Sequence, residues 1–187
     1  MKRILAISGS TRKSSSNHRI LEYLQREADA EHKIRIFSGV DGLPHFNEDL
    51  DANPPEAVKD FRQALIEAHG VIFCSPEYVF SLPGSFKNAL DWLVSTTVLY
   101  KKPLAMIVAA ANGEDAFHSL RRISETLGAS ILDDCTLLIQ GARGKFESNG
   151  APNPDLSLRL RRLMQTFHAQ LESATQEIGD QNPARRR

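Results

Sequence analysis

Hydroxyl and guanidinium groups crowd a polar stretch near the start of the chain. Residues 10–16 read STRKSSS and follow the apolar run 4–7 almost directly. Arg12 can give an anion a charge-assisted, bidentate contact. A helical pattern begins near Asn17, and the first turn of a helix offers unpaired N–H groups. The hydroxyls that can donate to phosphate oxygens are those of Ser10, Thr11, Ser15 and Ser16. The stretch therefore predicts a phosphate site rather than a flexible linker, although a polar turn with a serine cap stays possible.

Two common nucleotide motifs are missing from this stretch. It contains neither GxGxxG, the dinucleotide fingerprint, nor GxxxxGK[ST], the P-loop. Both classes of site are therefore disfavoured. We expect Gly9 to allow a tight turn between the apolar run and the polar stretch.

A second stretch combines rigid and aromatic residues. Residues 75–93 read SPEYVFSLPGSFKNALDWL. Pro76 and Pro83 restrict the backbone, and Gly84 is expected to permit a turn just before a helix. Such a loop can form a platform for a flat ring, with Tyr78 supplying an aromatic surface. The residues alone equally allow a capped turn whose aromatic side chains pack on their neighbours.

Short apolar runs alternate with helical patterns along the whole chain. Strands are predicted over residues 4–7, 34–37, 71–74, 103–111 and 136–139, each followed by residues at helical spacing. Asn53 is predicted to cap the second helix, with proline in its first turn. This alternation predicts an α/β domain with a parallel sheet covered on both faces. Ligands of such sheets bind beyond the carboxyl ends of the strands, where the two polar stretches fall.

Composition narrows the functional classes. The 187 residues include 23 basic and 23 acidic side chains, so the net charge is zero. A nucleic-acid or acidic-membrane binder would need a basic excess. No apolar run approaches the ~20 residues of a membrane span, and the apolar start is too short for a signal peptide, which predicts a cytoplasmic protein. Cys74 and Cys135 are expected to be reduced and buried. We expect one domain, residues 1–178, and a flexible tail, residues 179–187.

The motifs GSTRKSSSN and SPEYVFSLPGSFKNALDW together resemble those of the NADPH-dependent FMN reductase family. The resemblance implies a flavodoxin-like fold, with a five-stranded sheet in the order 2-1-3-4-5 between two helical layers. It also implies bound FMN, NADPH or NADH as co-substrate, and hydride transfer to the flavin. The electrons then pass to a small acceptor: a flavin, quinone, azo compound or metal oxyanion. A homodimer or homotetramer is implied as well.

The resemblance also assigns residues to the cofactor. The residues assigned to the phosphate are Ser10, Arg12, Ser15 and Asn17, together with the neighbouring hydroxyl of Ser16. The ring loop supplies Pro76, Glu77, Tyr78 and Ser81, and the shorter third loop supplies Asn112 and Gly113. Val79 stands where the family usually has asparagine, and this position of the ring loop is assigned to the cofactor as well. Gly84, Lys87, Asn88, Asp91 and Trp92 are expected to be structural or to lie at an oligomer interface.

No protein side chain is expected to act as a catalytic acid or nucleophile, because the flavin carries the chemistry. Glu77 is expected to stabilise its loop. The six histidines lack metal-ligand spacing, so each is expected on the surface or on a helix face. Two alternatives remain: a flavodoxin-type electron carrier and a member of the fold that has lost its flavin. Zero net charge and Arg12 count against the carrier, whereas Val79 and the short third loop favour loss of flavin.

Overall fold

The strands of this computed structural model form one parallel sheet in the order β2-β1-β3-β4-β5. The backbone is described for residues 1–180 and the side chains for residues 1–174. The strands are β1 (Lys2–Ser8), β2 (His32–Phe37), β3 (Gly70–Ser75), β4 (Leu104–Ala109) and β5 (Thr136–Ile139). This order is that of the flavodoxin-like fold, so the predicted fold class is confirmed.

Five α-helices connect the strands or follow them: α1 (Ser16–Arg26), α2 (Glu56–Glu67), α3 (Gly84–Asp91), α4 (Glu114–Thr126) and α5 (Pro154–Asp180). Helix α5 extends two residues beyond the predicted domain end. The rest of the predicted tail, residues 181–187, lies outside the described residues. No helix within the described residues is long and apolar enough to cross a membrane.

The sheet separates two apolar cores. Leu5 and Ile7 of β1 point to the core under α2, α3 and α4. The alternate residues Ile4 and Ala6 point to the core under α1 and α5. This alternation explains why β1 reads as an unbroken apolar run, since both faces of the strand are buried.

Helix α2 begins later than predicted. Its N-cap is Pro55, with φ −53° and ψ 152°, and its first helical residue is Glu56. The predicted cap at Asn53 was wrong. The reason is the second proline: a residue that precedes proline is excluded from the helical region, so Pro54 cannot start a helix before Pro55.

The loop between β3 and α3 turns at an unexpected place. Gly84 is the first residue of α3, and a Cβ there would meet nothing within 4 Å. The chain reverses instead at Val79 and Phe80, whose φ values are 50° and 57°. The prediction of a turn at Gly84 was therefore wrong, and the loop places two side chains in the left-handed region that glycine or asparagine usually occupies.

Helix α3 anchors the loop that follows β2. Asn88 donates to the Pro44 carbonyl at 2.9 Å and accepts from the Phe46 N–H at 2.8 Å. The indole N–H of the buried Trp92 donates to the same Pro44 carbonyl at 2.8 Å. These contacts give Asn88 and Trp92 the structural role that the sequence predicts.

Candidate active site

A cavity of about 640 Å³ lies beyond the carboxyl ends of β1, β3, β4 and β5. The loop from β1 to α1 forms one side, and the start of the β3–α3 loop forms another. The ends of β4 and β5 complete the wall. Its lining residues are Ser10, Arg12, Ser14, Ser15, Ser16, Asn17, Arg19, Pro76, Glu77, Tyr78, Ala109, Ala110, Ala111, Gly141, Ala142 and Arg143. Eight of the twelve predicted cofactor residues are among them.

Hydrogen bonds between its own residues shape the serine-rich loop. The Ser10 hydroxyl accepts from the Arg12 N–H at 3.3 Å, and the Ser15 hydroxyl caps α1 by accepting from the His18 N–H at 3.1 Å. Because both hydroxyls act as acceptors here, their protons remain to be donated to an anion. The N–H groups of Ser16 and Asn17 have no acceptor among the described residues, as expected for a first helical turn.

Gly9 allows a close approach of the loop to the β3–α3 segment. A Cβ on Gly9 would lie 2.6 Å from the Ser75 hydroxyl and 2.9 Å from Cδ1 of Phe86. Its φ is not positive. The chain bends at Gly9, as predicted, and the glycine is required there for space and not for a left-handed backbone.

Asn17 connects α1 to two strands. Its amide donates to the Ala109 carbonyl at 3.1 Å, and its Oδ1 accepts from the Cys74 thiol at 3.3 Å. These contacts use Oδ1 and one of the two amide protons, so the second amide proton and the backbone N–H are left for an anion. Burial raises the pKa of the Cys74 thiol strongly, so the thiol stays protonated. Cys74 and Cys135 are both free and buried, as predicted.

Glu77 links the ring loop to the loop after β4. Its two carboxylate oxygens accept from the Gly113 N–H at 3.2 Å and from the Ala116 N–H at 3.1 Å. Gly113 is the N-cap of α4 and has no side chain to cap the helix itself. Glu77 supplies that cap from another loop, so its role is to stabilise the loop, as the sequence predicts.

Four predicted ring contacts lie outside the cavity wall. Val79 is 93% exposed at the tip of the turn, and Ser81 pairs with Tyr78 through both backbone groups, at 2.9 and 3.1 Å. Asn112 accepts from Gln140 at 3.0 Å. The N–H of Gly113 is engaged with Glu77. Contact of these four residues with a cofactor stays a prediction.

Two arginines that the sequence reasoning missed also line the cavity. Arg143 follows β5, and Arg19 lies on α1 with its guanidinium 5.6 Å from the Phe146 ring centroid. The signal for Arg143 was its place just after the fifth strand, whose carboxyl end meets the others. With Arg12, the wall holds three guanidinium groups and one carboxylate, which already accepts two hydrogen bonds. The cavity is thus suited to an anionic ligand that also carries an apolar ring.

Comparison with known proteins identifies the family of the chain. The model of the NADPH-dependent FMN reductase family matches residues 2–144. The chain is 30% identical over 171 residues to a 2-hydroxy-1,4-benzoquinone reductase from Burkholderia sp, covering 88% of this chain and 91% of that protein. It is 34% identical over 159 residues to an NADPH:quinone oxidoreductase from Arabidopsis thaliana, covering 79% and 80%.

A solved structure shows the same fold. FerB, a flavoenzyme NAD(P)H:(acceptor) oxidoreductase from Paracoccus denitrificans, matches with a TM-score of 0.75 over 94% of this chain and 98% of its own, at 24% identity. The family match covers most of the chain, including both loops that line the cavity. The chain therefore belongs to the NADPH-dependent FMN reductase family, and it is an oxidoreductase with FMN as its cofactor and a nicotinamide nucleotide as its co-substrate.

Proposed function

We propose that the protein reduces quinones with NADPH or NADH through FMN held in the cavity beyond the carboxyl ends of the strands. The observation that carries the proposal is the pairing of the arginine- and serine-lined loop with the loop that Glu77 fixes. A cavity of about 640 Å³ lies within the range of small-molecule sites, about 300–1,000 Å³. The choice of quinones rests on the reductases named above.

The residues present fit FMN. The Arg12 guanidinium, the hydroxyls of Ser10 and Ser15 and the first N–H groups of α1 form a cradle for its phosphate. FMN, when bound, supplies the acceptor for a hydride and the donor of electrons to the acceptor.

The other contribution of the chain is to hold the flavin ring in position. Pro76 stiffens the segment on which the ring would rest, and Glu77 fixes that segment to the start of α4. Tyr78 is half exposed at the mouth of the cavity and offers an aromatic edge. Among the lining residues the ionisable side chains are three arginines, Glu77 and Tyr78. The one carboxylate among these lining residues, that of Glu77, is occupied by two backbone N–H groups.

Steady-state assays test this function directly. Purified protein should carry flavin absorbance and oxidise NADPH or NADH faster when a benzoquinone is added. FMN, an azo dye and a redox protein serve as comparison acceptors. A colourless protein that gains no colour with added FMN would support the flavin-free alternative. Turnover with the redox protein alone would support the carrier.

The tip of the ring loop supports a homo-oligomer. Tyr78, Val79 and Phe80 are 50%, 93% and 74% exposed. Consecutive exposed apolar side chains beside a cavity are typical of an interface. We infer that a second copy covers them, in a homodimer or homotetramer. Light scattering should give a multiple of the chain mass, reduced in the double variant Val79→Ser, Phe80→Ser; a monomeric wild type would contradict the inference.

We also infer a cytoplasmic location, because Cys74 and Cys135 are both free thiols. Cell fractionation checks this: recovery of the protein from an oxidising compartment would contradict it.

A further inference from the structure

Two histidines that lie 136 positions apart in sequence stack on each other at the edge of the fold. His32 begins β2 and is 6% exposed, and His168 lies on α5. Their ring centroids are 3.6 Å apart and their planes differ by 5°. Asp29, in the connection between α1 and β2, places its carboxylate beside both rings. One ligand atom from each of the three residues lies within 4.8 Å of the others.

The geometry points to a binding site for a divalent transition-metal ion, of the zinc type, formed by Asp29, His32 and His168. Two imidazoles and a carboxylate are the ligands that such ions prefer. The site is separate from the reductase cavity, because His32 stands at the amino end of β2 whereas the cavity lies at the carboxyl ends.

The ligand separations agree with metal coordination. Oδ1 of Asp29 lies 2.8 Å from Nδ1 of His32, and Oδ2 lies 3.8 Å from Nδ1 of His168. Ligands at bond lengths near 2.0–2.2 Å around a tetrahedral ion stand about 3.3 Å apart. The two observed separations bracket that value, so small side-chain movements suffice for Asp29 and His32.

An unpartnered nitrogen provides a second, independent observation. With Nδ1–H of His32 donating to Asp29, its Nε2 has no hydrogen-bond partner among the described residues, although it is buried. An ion at Nδ1 would move the proton to Nε2. That proton would point towards Oε1 of Glu172, 4.0 Å from Nε2. A carboxylate behind a metal-bound histidine is a common supporting contact, and a movement of the Glu172 side chain, which is 52% exposed, would bring Oε1 within hydrogen-bond distance of Nε2.

The two stacked rings must separate slightly if both are to reach the ion, and the structure leaves room for this movement. Parallel rings direct their lone pairs side by side, so the ring of His168 has to tilt towards the ion. Its side chain is 21% exposed and borders a cavity of about 270 Å³ next to Asp29.

Other charged side chains around the three residues form ion pairs. Glu172 also pairs with Lys2 at 3.6 Å, and Arg161 pairs with Glu27 at 3.5 Å on the far side of the small cavity. An ion here would join α5 to the α1–β2 connection. We therefore expect it to stabilise the fold and to leave the reductase reaction unchanged.

Metal titration of the full-length flavoprotein tests the proposal. After removal of metal with a chelator, calorimetry with Zn²⁺ should show one ion per chain, and Co²⁺ should give visible absorption bands of a nitrogen- and oxygen-bound ion. Zn²⁺ should also raise the melting temperature. The variants Asp29→Asn and His168→Gln should each bind Zn²⁺ at least about tenfold more weakly. Their flavin absorbance and NADPH oxidation should be unchanged.

Two further variants complete the test. His168→Cys retains a metal ligand and should bind the ion more tightly than His168→Gln. His118→Gln removes an exposed histidine on α4 and should leave binding unchanged. The proposal is overturned if the wild type shows no saturable binding of one ion, or if Asp29→Asn and His168→Gln bind as tightly as the wild type.

Discussion

The carboxylate of Glu77 accepts a hydrogen bond from the N–H of Gly113, 36 residues later in the chain. Its other oxygen accepts from Ala116 in the first turn of α4. One side chain thereby fixes the relative position of two loops at the carboxyl edge of the sheet. We expect this contact to determine how firmly the wall of the cavity is held.

Replacement of Glu77 by alanine should weaken both stability and FMN binding. Loss of a helix cap costs about 1–2 kcal/mol, and the free loop would bind the ring less tightly. Urea denaturation and a fluorescence titration with FMN measure the two effects. Glu125→Ala, at the other end of α4, should change stability by less than about 0.5 kcal/mol. Equal behaviour of the two variants would contradict the anchoring role.

Replacement of Arg12 by alanine should weaken FMN binding while leaving riboflavin binding unchanged. A hydrogen bond to a charged group contributes about 1.5–3 kcal/mol, which corresponds to a loss of about ten- to a hundredfold. Riboflavin lacks the phosphate, so it does not use this contact. Lys13→Ala is the control, since Lys13 does not line the cavity. An equal loss for both flavins would place Arg12 away from the phosphate.

Two glycine-to-alanine variants should have opposite effects. Gly9→Ala would press a methyl group against Ser75 and Phe86 and should destabilise the protein by about 1–3 kcal/mol. Gly84→Ala adds a methyl group in open space at the start of α3 and should stabilise it by about 0.5 kcal/mol. Thermal and urea denaturation check the pair. A harmless Gly9→Ala would show that the loop does not need its close approach to β3.

Replacement of Val79 by asparagine should stabilise the fold of the single chain by about 1 kcal/mol. Val79 has a φ of 50°, and the left-handed region costs a branched side chain about 1–2 kcal/mol, a cost that asparagine largely avoids. Val94→Asn is a matched control, because Val94 is exposed but its φ is not positive. Urea denaturation compares the two variants. A gain at both positions would mean that the polarity of the new side chain, and not the backbone, is responsible.

Stability should decrease in mild acid through His69. Its Nδ1 accepts from the Arg3 N–H at 3.0 Å, and burial, followed by the charges of Arg3, Lys2 and Lys102, lowers its pKa below 6.5. Because the unfolded chain then binds the proton more readily, the contribution is full above pH 6.5 and is lost as the pH falls towards the folded pKa. Denaturation from about pH 8 to about pH 5 should show a smaller loss for His69→Asn. If the wild type and His69→Asn lose stability equally over this pH range, His69 is not the cause of the loss.

The helices and strands could be predicted because the residue patterns that specify them are local in the sequence. The run 136–139 predicts β5 with its observed bounds, and the apolar spacing on α2 places Val58, Phe61 and Leu65 in the core, as observed. The start of α2 was missed because two prolines compete for the same position. The turn at Val79 was missed because its conformation is imposed by the Tyr78–Ser81 pairing and opposes the preference of the residue.

The site could be predicted in part for the same reason. Arg12 and Glu77 stand in contiguous stretches of unusual composition, whereas Arg143 comes to the cavity only through the parallel arrangement of β4 and β5. His32 and His168 meet because α5 packs on the face of the sheet that α1 also covers, and no sequence spacing records that contact. Long-range packing is the part of the structure that one sequence does not reveal.

The burial of Cys74 affects how well the enzyme resists oxidation. A reduced flavin that meets oxygen produces peroxide, and peroxide attacks thiolates much faster than thiols. The Cys74 sulfur is buried, protonated and engaged with Asn17. We therefore expect the Cys74 thiol to stay reduced while the protein turns over in air.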